Sequence, residues 1–279
     1  MEEVFAEHNR SFEKTRFIYP VISRRSQGLS LGINLDYDKT CNFDCPYCQV
    51  NRREFPSDAF DFKTMQAELL WAIEYLQTSE VFDLPRFKST PASFKVWKDI
   101  AIAGDGEPSV NPHLLPTMEF LKPLAAKLPQ IVLISNATGL KRPNTQKALE
   151  ILASMGGVLW AKLDAGTQQY FEIVSGTKLK IDVIEQRILS VPQSLRLCIQ
   201  ICLMKVDGVS PSASEIESLL NRLKRIHNAH KLESIQIYTI ARPPAQSFVA
   251  PIPLVELKTI CQPLIDANLP IKLYSGAAD

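Results

Sequence analysis

Short apolar runs alternate with longer segments of helical periodicity along most of the chain. Six runs have the apolar or alternating pattern that is typical of strands: residues 29–35, 99–103, 131–134, 158–163, 195–204 and 234–239. Seven segments carry apolar residues at helical spacing: residues 62–78, 114–128, 144–155, 167–174, 181–190, 213–226 and 254–267. Because each strand is followed by helical sequence, the pattern predicts an α/β fold with a parallel sheet and right-handed crossovers.

Two architectures fit six successive strand–helix units. One is a doubly wound open sheet, and the other is a partial (β/α)6 TIM-like barrel, two units short of a closed barrel. In both, ligands are expected at the carboxyl ends of the strands. No change of composition marks a linker, so we expect one domain over residues 29–279, preceded by an N-terminal extension over residues 1–28.

Composition adds little that is unusual. The 279 residues are 46% hydrophobic and carry a formal net charge of +1, which is ordinary for a globular protein and argues against coating nucleic acid by bulk charge. No stretch approaches the roughly 18 apolar residues of a membrane span, and the acidic N-terminus lacks an export signal. The expectation is a cytoplasmic protein without a membrane partner.

The six cysteines are distributed unevenly, and three of them fall within eight residues. Cys41, Cys45 and Cys48 have the spacing C-x3-C-x2-C directly after the first predicted strand. In a reduced compartment such a cluster indicates metal binding, and three thiolates can hold three corners of a [4Fe–4S] cubane with one iron left open. The alternatives are a zinc site without its fourth ligand and chance clustering, and the nearest histidines, His8 and His113, are remote in sequence.

The motif, with Tyr47 as the aromatic residue before the third cysteine, resembles that of the radical S-adenosylmethionine (SAM) superfamily. The resemblance implies a partial (β/α)6 barrel with Cys41, Cys45 and Cys48 as ligands of a [4Fe–4S] cluster whose open iron binds the amino and carboxylate groups of SAM. It further implies a reductant such as flavodoxin or ferredoxin. The resulting electron transfer would cleave SAM to methionine and a 5′-deoxyadenosyl radical that abstracts hydrogen from the substrate.

Further polar segments follow the predicted strands. The sequence from Gly104 to Pro108 matches the glycine-rich G-E motif of the family, which implies contacts of Gly106 and Glu107 with the methionine amino group, although Asp105 departs from the commoner Gly-Gly form. The resemblance also implies that Tyr47 contacts the cofactor. At other strand ends it implies SAM or substrate contacts for Asn136, Asp164 and Gln200. An ordinary turn remains the alternative for the G-E segment and for both Asx residues.

The remaining three cysteines predict no second cluster. Cys198 and Cys202 alternate on one predicted strand with aliphatic residues, which places them about 13 Å apart, too far for a disulfide. Cys261 lies in the last helical segment and reads as a small buried apolar residue. One cluster is therefore expected.

Three stretches, 31–35, 163–165 and 236–244, resemble the bacterial relatives of the tRNA wyosine-base (4-demethylwyosine) synthase. This implies a tRNA nucleoside as substrate. A peptide or protein, a small metabolite, and a non-catalytic iron–sulfur electron carrier or redox sensor stay as alternatives, because the N-terminal cysteines of the second cluster of that synthase are missing here.

An RNA substrate would need a local basic face at the catalytic mouth. The residues expected to ring it are Arg24, Arg25, Lys178, Lys180 and Arg242. Arg242 follows the last predicted strand and precedes two prolines, where it fits either a phosphate or carboxylate contact or a rigid turn. The densest basic run, residues 222–231, is read as a solvated helix end, with a tRNA footprint as the alternative.

Overall fold

The computed structural model describes residues 12, 15–50, 52, 56, 58–274 and 276. Its main feature is an eight-stranded sheet whose strands lie in chain order. These strands are β1 (Ile18–Ser23), β2 (Gly28–Ile33), β3 (Trp97–Ile102), β4 (Gln130–Ser135), β5 (Val158–Lys162), β6 (Arg196–Cys202), β8 (Ser234–Tyr238) and β10 (Ile271–Tyr274). Two short strands, β7 (Lys205–Val206) and β9 (Val249–Ala250), form a separate antiparallel pair.

The sheet is parallel from β2 to β10, and only β1 runs antiparallel to its neighbour. It curves into a half-barrel, which confirms the predicted partial barrel over a flat doubly wound sheet. The outer face carries the large apolar core, whereas the inner face carries a small separate cluster that includes Val132, Trp160 and Cys198. The inner face is therefore left free to line a cavity.

Seven helices of eight or more residues are described, close to the predicted positions. They are α1 (Phe62–Gln77), α2 (Leu114–Leu121), α3 (Pro143–Ser154), α4 (Gln168–Ser175), α5 (Ile181–Ile188), α6 (Ala213–His230) and α7 (Leu254–Ile265). Five short 3-10 segments complete the set: Glu80–Asp83, Pro85–Phe87, Ala92–Phe94, Pro108–Val110 and Lys122–Lys127. The helix predicted over 114–128 changes to 3-10 geometry after Leu121, since Pro123 has no N–H for an α-helical bond.

Among these described helices, none combines the length and apolar character that a membrane crossing requires.

The sequence pattern missed both edge strands. β1 lies within the predicted N-terminal extension and pairs with β2 along its length, from Ile18 opposite Ile33 to Ser23 opposite Gly28. Pro20 interrupts its strand pattern, but an edge strand tolerates a residue that cannot donate a ladder hydrogen bond. β10 has only four residues, too few for a recognisable alternation. Residues 1–11 and 13–14 of the extension lie outside the described part of the chain.

A buried glutamate on α1 holds the start of β1. Glu68 is 9% exposed, and its two carboxylate oxygens accept from the main-chain N–H groups of Arg16 at 3.0 Å and Phe17 at 2.8 Å. These groups precede the first sheet pair, so the carboxylate supplies acceptors that the ladder does not. The edge strand therefore depends on a helix on the other side of the core.

We expect the substitution Glu68→Gln to lower the free energy of unfolding by about 1–3 kcal/mol. The glutamine amide presents one donor toward two main-chain donors, so one N–H loses its acceptor. Glu74→Gln, an exposed position on the same helix, is the matched control and should change stability little. Equal denaturant midpoints for the two variants would show that the bonds to β1 contribute nothing.

Candidate functional site

The three clustered cysteines lie in the loop that follows β2, and all three line one cavity of about 290 Å³ inside the half-barrel. Their thiols are free and partly buried. The same cavity is lined by five of the six residues predicted to contact the cofactor: Tyr47, Gly106, Glu107, Asn136 and Gln200. The segments after β3 and β4 and a residue of β6 thus converge on the cysteine loop.

The cysteine loop is fixed at both ends of its motif. Asp44 donates its main-chain N–H to Ser175 at 3.1 Å, and Gly176 approaches Asp44 so closely that a Cβ there would lie 2.1 Å from the Asp44 carbonyl oxygen. At the other end, Cys48 donates its N–H to Cys45 at 3.0 Å. Burial and the nearby Asp164 raise the pKa of the Cys45 thiol to about 12, so metal binding there must displace a proton.

Tyr47 points away from solvent and donates its hydroxyl to Asp164 at 2.6 Å. Asp164 also accepts the main-chain N–H of Cys202 at 2.7 Å and lies 3.1 Å from the ammonium of Lys162. Asp164 is buried and does not line the cavity, in contrast to the other predicted contact residues. Its observed partners are protein groups, and a contact with SAM stays a prediction for it.

Lys162 is a cavity-lining residue that the sequence reading did not single out. Its ammonium donates to the Tyr238 hydroxyl at 2.9 Å and lies 5.2 Å from the centre of the Tyr47 ring. Burial is the largest single influence and lowers its pKa, but the Asp164 carboxylate, with Tyr238 and Cys202, together outweighs burial, and the pKa is raised. Lys162 is therefore a fixed cation in the cavity wall. Alternate residues of a strand face the same side, so the position of Lys162 two residues after Trp160 could have predicted that both side chains share one face of the sheet.

The Gly104–Pro108 segment packs directly against the start of the cysteine loop. A Cβ at Gly104 would lie 2.0 Å from Asn34 Oδ1, and one at Gly106 would lie 2.0 Å from the carbonyl oxygen of Thr40. Glycine is required at 106 because the turn lies against the main chain of Thr40, and at 104 because it lies against the hydrogen-bonded side chain of Asn34. Asp105 is held by two hydrogen bonds with Asn34, at 2.7 and 3.1 Å.

Glu107 braces the carboxyl end of the neighbouring strand. Its Oε1 accepts from the Ser109 N–H at 2.9 Å and the Ser135 hydroxyl at 2.6 Å, and its Oε2 accepts from the Asn136 N–H at 2.6 Å. Protein donors thus surround the carboxylate. A contact of Glu107 with an ammonium group stays a prediction.

Asn136 and Gln200 differ in whether all of their side-chain polar atoms have hydrogen-bond partners. Asn136 donates to Asn42 of the cysteine loop at 2.9 Å and accepts twice from Thr138, so its amide is engaged. Gln200 donates to Gln236 at 2.9 Å, but its own Oε1 is buried with no partner among the described residues. A buried carbonyl without a donor costs free energy unless a ligand or water supplies one. Gln200 therefore points to a donor-bearing group in the cavity.

The predicted basic face is only partly assembled. Arg24, Arg25 and Arg242 line a second cavity beside the first, whereas Lys178 and Lys180 line neither. In the basic run on α6, Arg222 and Arg225 both pair with the buried carboxylate of Glu185 on α5. That contact supports the structural interpretation of this run over an RNA footprint.

Asp36 is a buried carboxyl group beneath the glycine-rich turn. Its Oδ1 accepts from Asn111 at 2.9 Å, while its Oδ2 has no partner among the described residues. Burial raises its pKa to about 7, the Asn111 bond opposes this, and the charges of Glu107 and Asp38 add to the increase. The turn therefore rests on a carboxyl group that ionises near neutral pH.

No protein-family model matches the chain. The chain is 29% identical over 237 residues to a UPF0026 protein of Helicobacter pylori (strain J99), which covers 83% of this chain and 68% of that protein. The fold is similar to SuiB of Streptococcus suis bound to S-adenosylmethionine, with a TM-score of 0.62, 14% identity, and coverage of 90% of this chain and 51% of SuiB. The chain thus spans about half the length of SuiB.

Two further structures are similar. SuiB bound to the precursor peptide SuiA gives a TM-score of 0.60 at 15% identity over 89% of this chain and 49% of SuiB. TYW1 with a lysine–pyruvate adduct bound gives 0.54 at 16% identity over 88% of this chain and 74% of TYW1. These likenesses define the fold as a partial barrel of the radical SAM type. Within that class, the chain resembles the UPF0026 proteins and the wyosine-base synthase.

We expect Asp36→Asn to stabilise the protein above neutral pH by up to ~4 kcal/mol. Between pH 4 and 7 the unfolded chain loses the Asp36 proton while the folded chain keeps it, so the native protein loses stability across that window and the variant does not. Thermal unfolding from pH 5 to 8 measures the difference. The exposed Asp83→Asn serves as control. Parallel curves for native protein and Asp36→Asn would contradict the expectation.

Proposed function

We propose that this protein is a radical SAM enzyme that holds one [4Fe–4S] cluster on Cys41, Cys45 and Cys48. The observation that carries the proposal is the convergence of the three free thiols, the Gly104–Glu107 turn and the unpartnered Gln200 carbonyl on one cavity. These residues suit the cofactor pair, since thiolates bind iron and the polar strand ends offer acceptors to an amino acid and a ribose.

When bound, the cluster supplies the electron that cleaves SAM to methionine and a 5′-deoxyadenosyl radical. The residues of this chain bind the cluster and SAM and orient them. Gly106 lets its turn lie against the cysteine loop, Glu107 fixes the neighbouring strand end, and Tyr47 anchors the loop to Asp164. A flavodoxin or ferredoxin would deliver the electron.

The two rival interpretations of the cysteines explain less. A zinc site would need a fourth protein ligand, and no histidine lies near the three cysteines in the sequence. The thiolates of a cubane each bind a different iron, so sulfurs distributed around a cavity suit a cluster better. A pure electron carrier needs no cavity with an unpartnered Gln200 beside its cluster.

We expect Cys41→Ala, Cys45→Ala and Cys48→Ala each to abolish reductive SAM cleavage, because each removes one of three cluster ligands. After anaerobic reconstitution the native protein should hold about four irons per chain. The measurements are iron content and 5′-deoxyadenosine formation with dithionite as reductant. Cys261→Ala, a buried position on α7 outside the cavity, is the control and should retain both. Zinc in place of iron, or no 5′-deoxyadenosine from the native protein, would overturn the proposal.

For the substrate we infer a nucleoside within tRNA, on the sequence resemblance to the wyosine-base synthases. The likeness to SuiB, which has been solved with the precursor peptide SuiA, keeps a peptide as the second candidate. A small metabolite is the third. Arg24, Arg25 and Arg242 in one cavity favour a substrate that carries negative charge.

We expect tRNA to bind the reconstituted protein at 50 mM salt and to lose affinity by roughly tenfold or more at 200 mM salt. The reason is that phosphate contacts release counterions, which salt opposes. Fluorescence anisotropy of labelled tRNA measures the dissociation constant at each of the two salt concentrations. Absence of binding at 50 mM salt would exclude the tRNA candidate and favour the peptide or metabolite.

A further inference from the structure

The half-barrel has a second cavity, of about 280 Å³, at its open side. On one side it is lined by β1 and the turn that joins it to β2, and on the other by the ends of β8 and β10 and the segment after β8. The cysteine loop borders it through Tyr47, Cys48 and Gln49. Tyr47 and Cys48 also line the first cavity, as do Arg25 and Tyr238, so the two cavities adjoin both at the cysteine loop and at Arg25.

The charges around this second cavity are of one sign. Arg24, Arg25 and Arg242 line it, and no Asp or Glu is among the described residues that do. The first cavity is different, because Asp105 and Glu107 line it together with cations. Three guanidinium groups within one concave surface raise the local concentration of anions and can bind oxyanions bidentately.

Arg25 is the most informative of the three. Its guanidinium carbon lies 4.8 Å from the centre of the Tyr238 ring and 5.8 Å from that of Trp160, so two aromatic rings hold it inside the half-barrel. Among the described residues it makes no hydrogen bond or ion pair with a carboxylate. The carboxylate nearest in effect, Asp99, is engaged by the hydroxyl of Ser30.

We propose that the second cavity binds the oxyanion group, a phosphate or a carboxylate, of the substrate. Arg25 would anchor this group from the β1–β2 turn and Arg242 from the segment after β8. Aromatic rings of Tyr238 and Tyr274 flank the cavity and suit a planar portion of the same molecule. The identification of the ligand as a substrate rests on the proposed function, whereas the anion site itself is argued from the arginines alone.

A concave site suits a small group better than it suits the surface of another protein. An acidic reductant would also be attracted to arginines, but protein partners meet broad surfaces of about 800 Å² each, whereas here the cations face a cavity. Arg25 moreover contacts Trp160, which lies on the inner face of the sheet. The arrangement therefore favours a ligand that enters the half-barrel.

The test is anion binding by the reconstituted protein, under anaerobic conditions and at constant ionic strength. The probes are inorganic phosphate and malonate, each titrated against tryptophan fluorescence and by calorimetry, since Trp160 lies beside Arg25. We expect saturable binding that weakens at least tenfold in Arg25→Gln and in Arg242→Gln. Lys147→Gln, an exposed position on α3, removes the same charge outside both cavities and should bind as the native protein does.

The two probes distinguish the two sources of the oxyanion. Tighter phosphate binding indicates a phosphorylated substrate, and tighter malonate binding indicates a carboxylate. The proposal is overturned if neither probe saturates, or if Arg242→Gln, in the segment after β8, binds as tightly as Lys147→Gln. Because these readouts do not involve SAM, anion binding without 5′-deoxyadenosine formation would refute the proposed function and leave the anion site standing.

Discussion

The arrangement at the mouth of the half-barrel depends on one buried carboxylate. Asp164 accepts from the Tyr47 hydroxyl, the main-chain N–H of Cys202 and the Lys162 ammonium. These partners belong to the cysteine loop, to β6 and to β5, and Lys162 continues the contact to Tyr238 on β8. A buried carboxylate is costly unless it is paired and hydrogen-bonded, and here both conditions are met. The position of the cysteine loop over the sheet follows from this contact.

Buried glutamates play the same role at three other strand ends. Main-chain N–H groups in such segments have no ladder partner, and buried ones need an acceptor. Glu107 supplies one to Asn136 after β4, Glu215 supplies them to Gly166 and Thr167 after β5, and Glu68 supplies them before β1. Each glutamate comes from a different element. The loops that form the cavity are therefore fixed by distant helices and turns, and the thiols are held before any cluster binds.

Much of this arrangement could be predicted, because it depends on local patterns. The six inner strands follow from short apolar runs, and the meeting of Cys41, Gly106 and Gln200 follows from parallel strands whose carboxyl ends share one edge. β1 and β10 could not be recognised, since an edge strand with Pro20 and a four-residue strand carry too little pattern. Contacts between residues that are far apart in the sequence could not be predicted from it either.

Three side chains illustrate the difference between what the sequence pattern predicts and what the tertiary structure determines. Asp164 followed an apolar run and was expected at the cofactor, but the fold turns it toward Tyr47 and Cys202. Arg25 precedes a strand by sequence and reaches across the half-barrel to Tyr238 only because the sheet curves. The alternation of Trp160 and Lys162 on β5 did carry a signal for an inward cation, and reading strand faces as well as strand ends would have found it.

The two adjoining cavities differ in the charges of the residues that line them. Asp105 and Glu107 lie along the first, and three arginines line the second without a carboxylate among the described residues. Arg25, Arg52 and Lys162 also line the first cavity, so it presents both signs of charge, whereas the described lining of the second cavity carries guanidinium groups and no carboxylate. Tyr47 and Cys48 stand at the boundary between the two. The second cavity therefore favours an oxyanion, while the first offers partners both to an ammonium group and to a carboxylate, and the cysteine loop lies between the two.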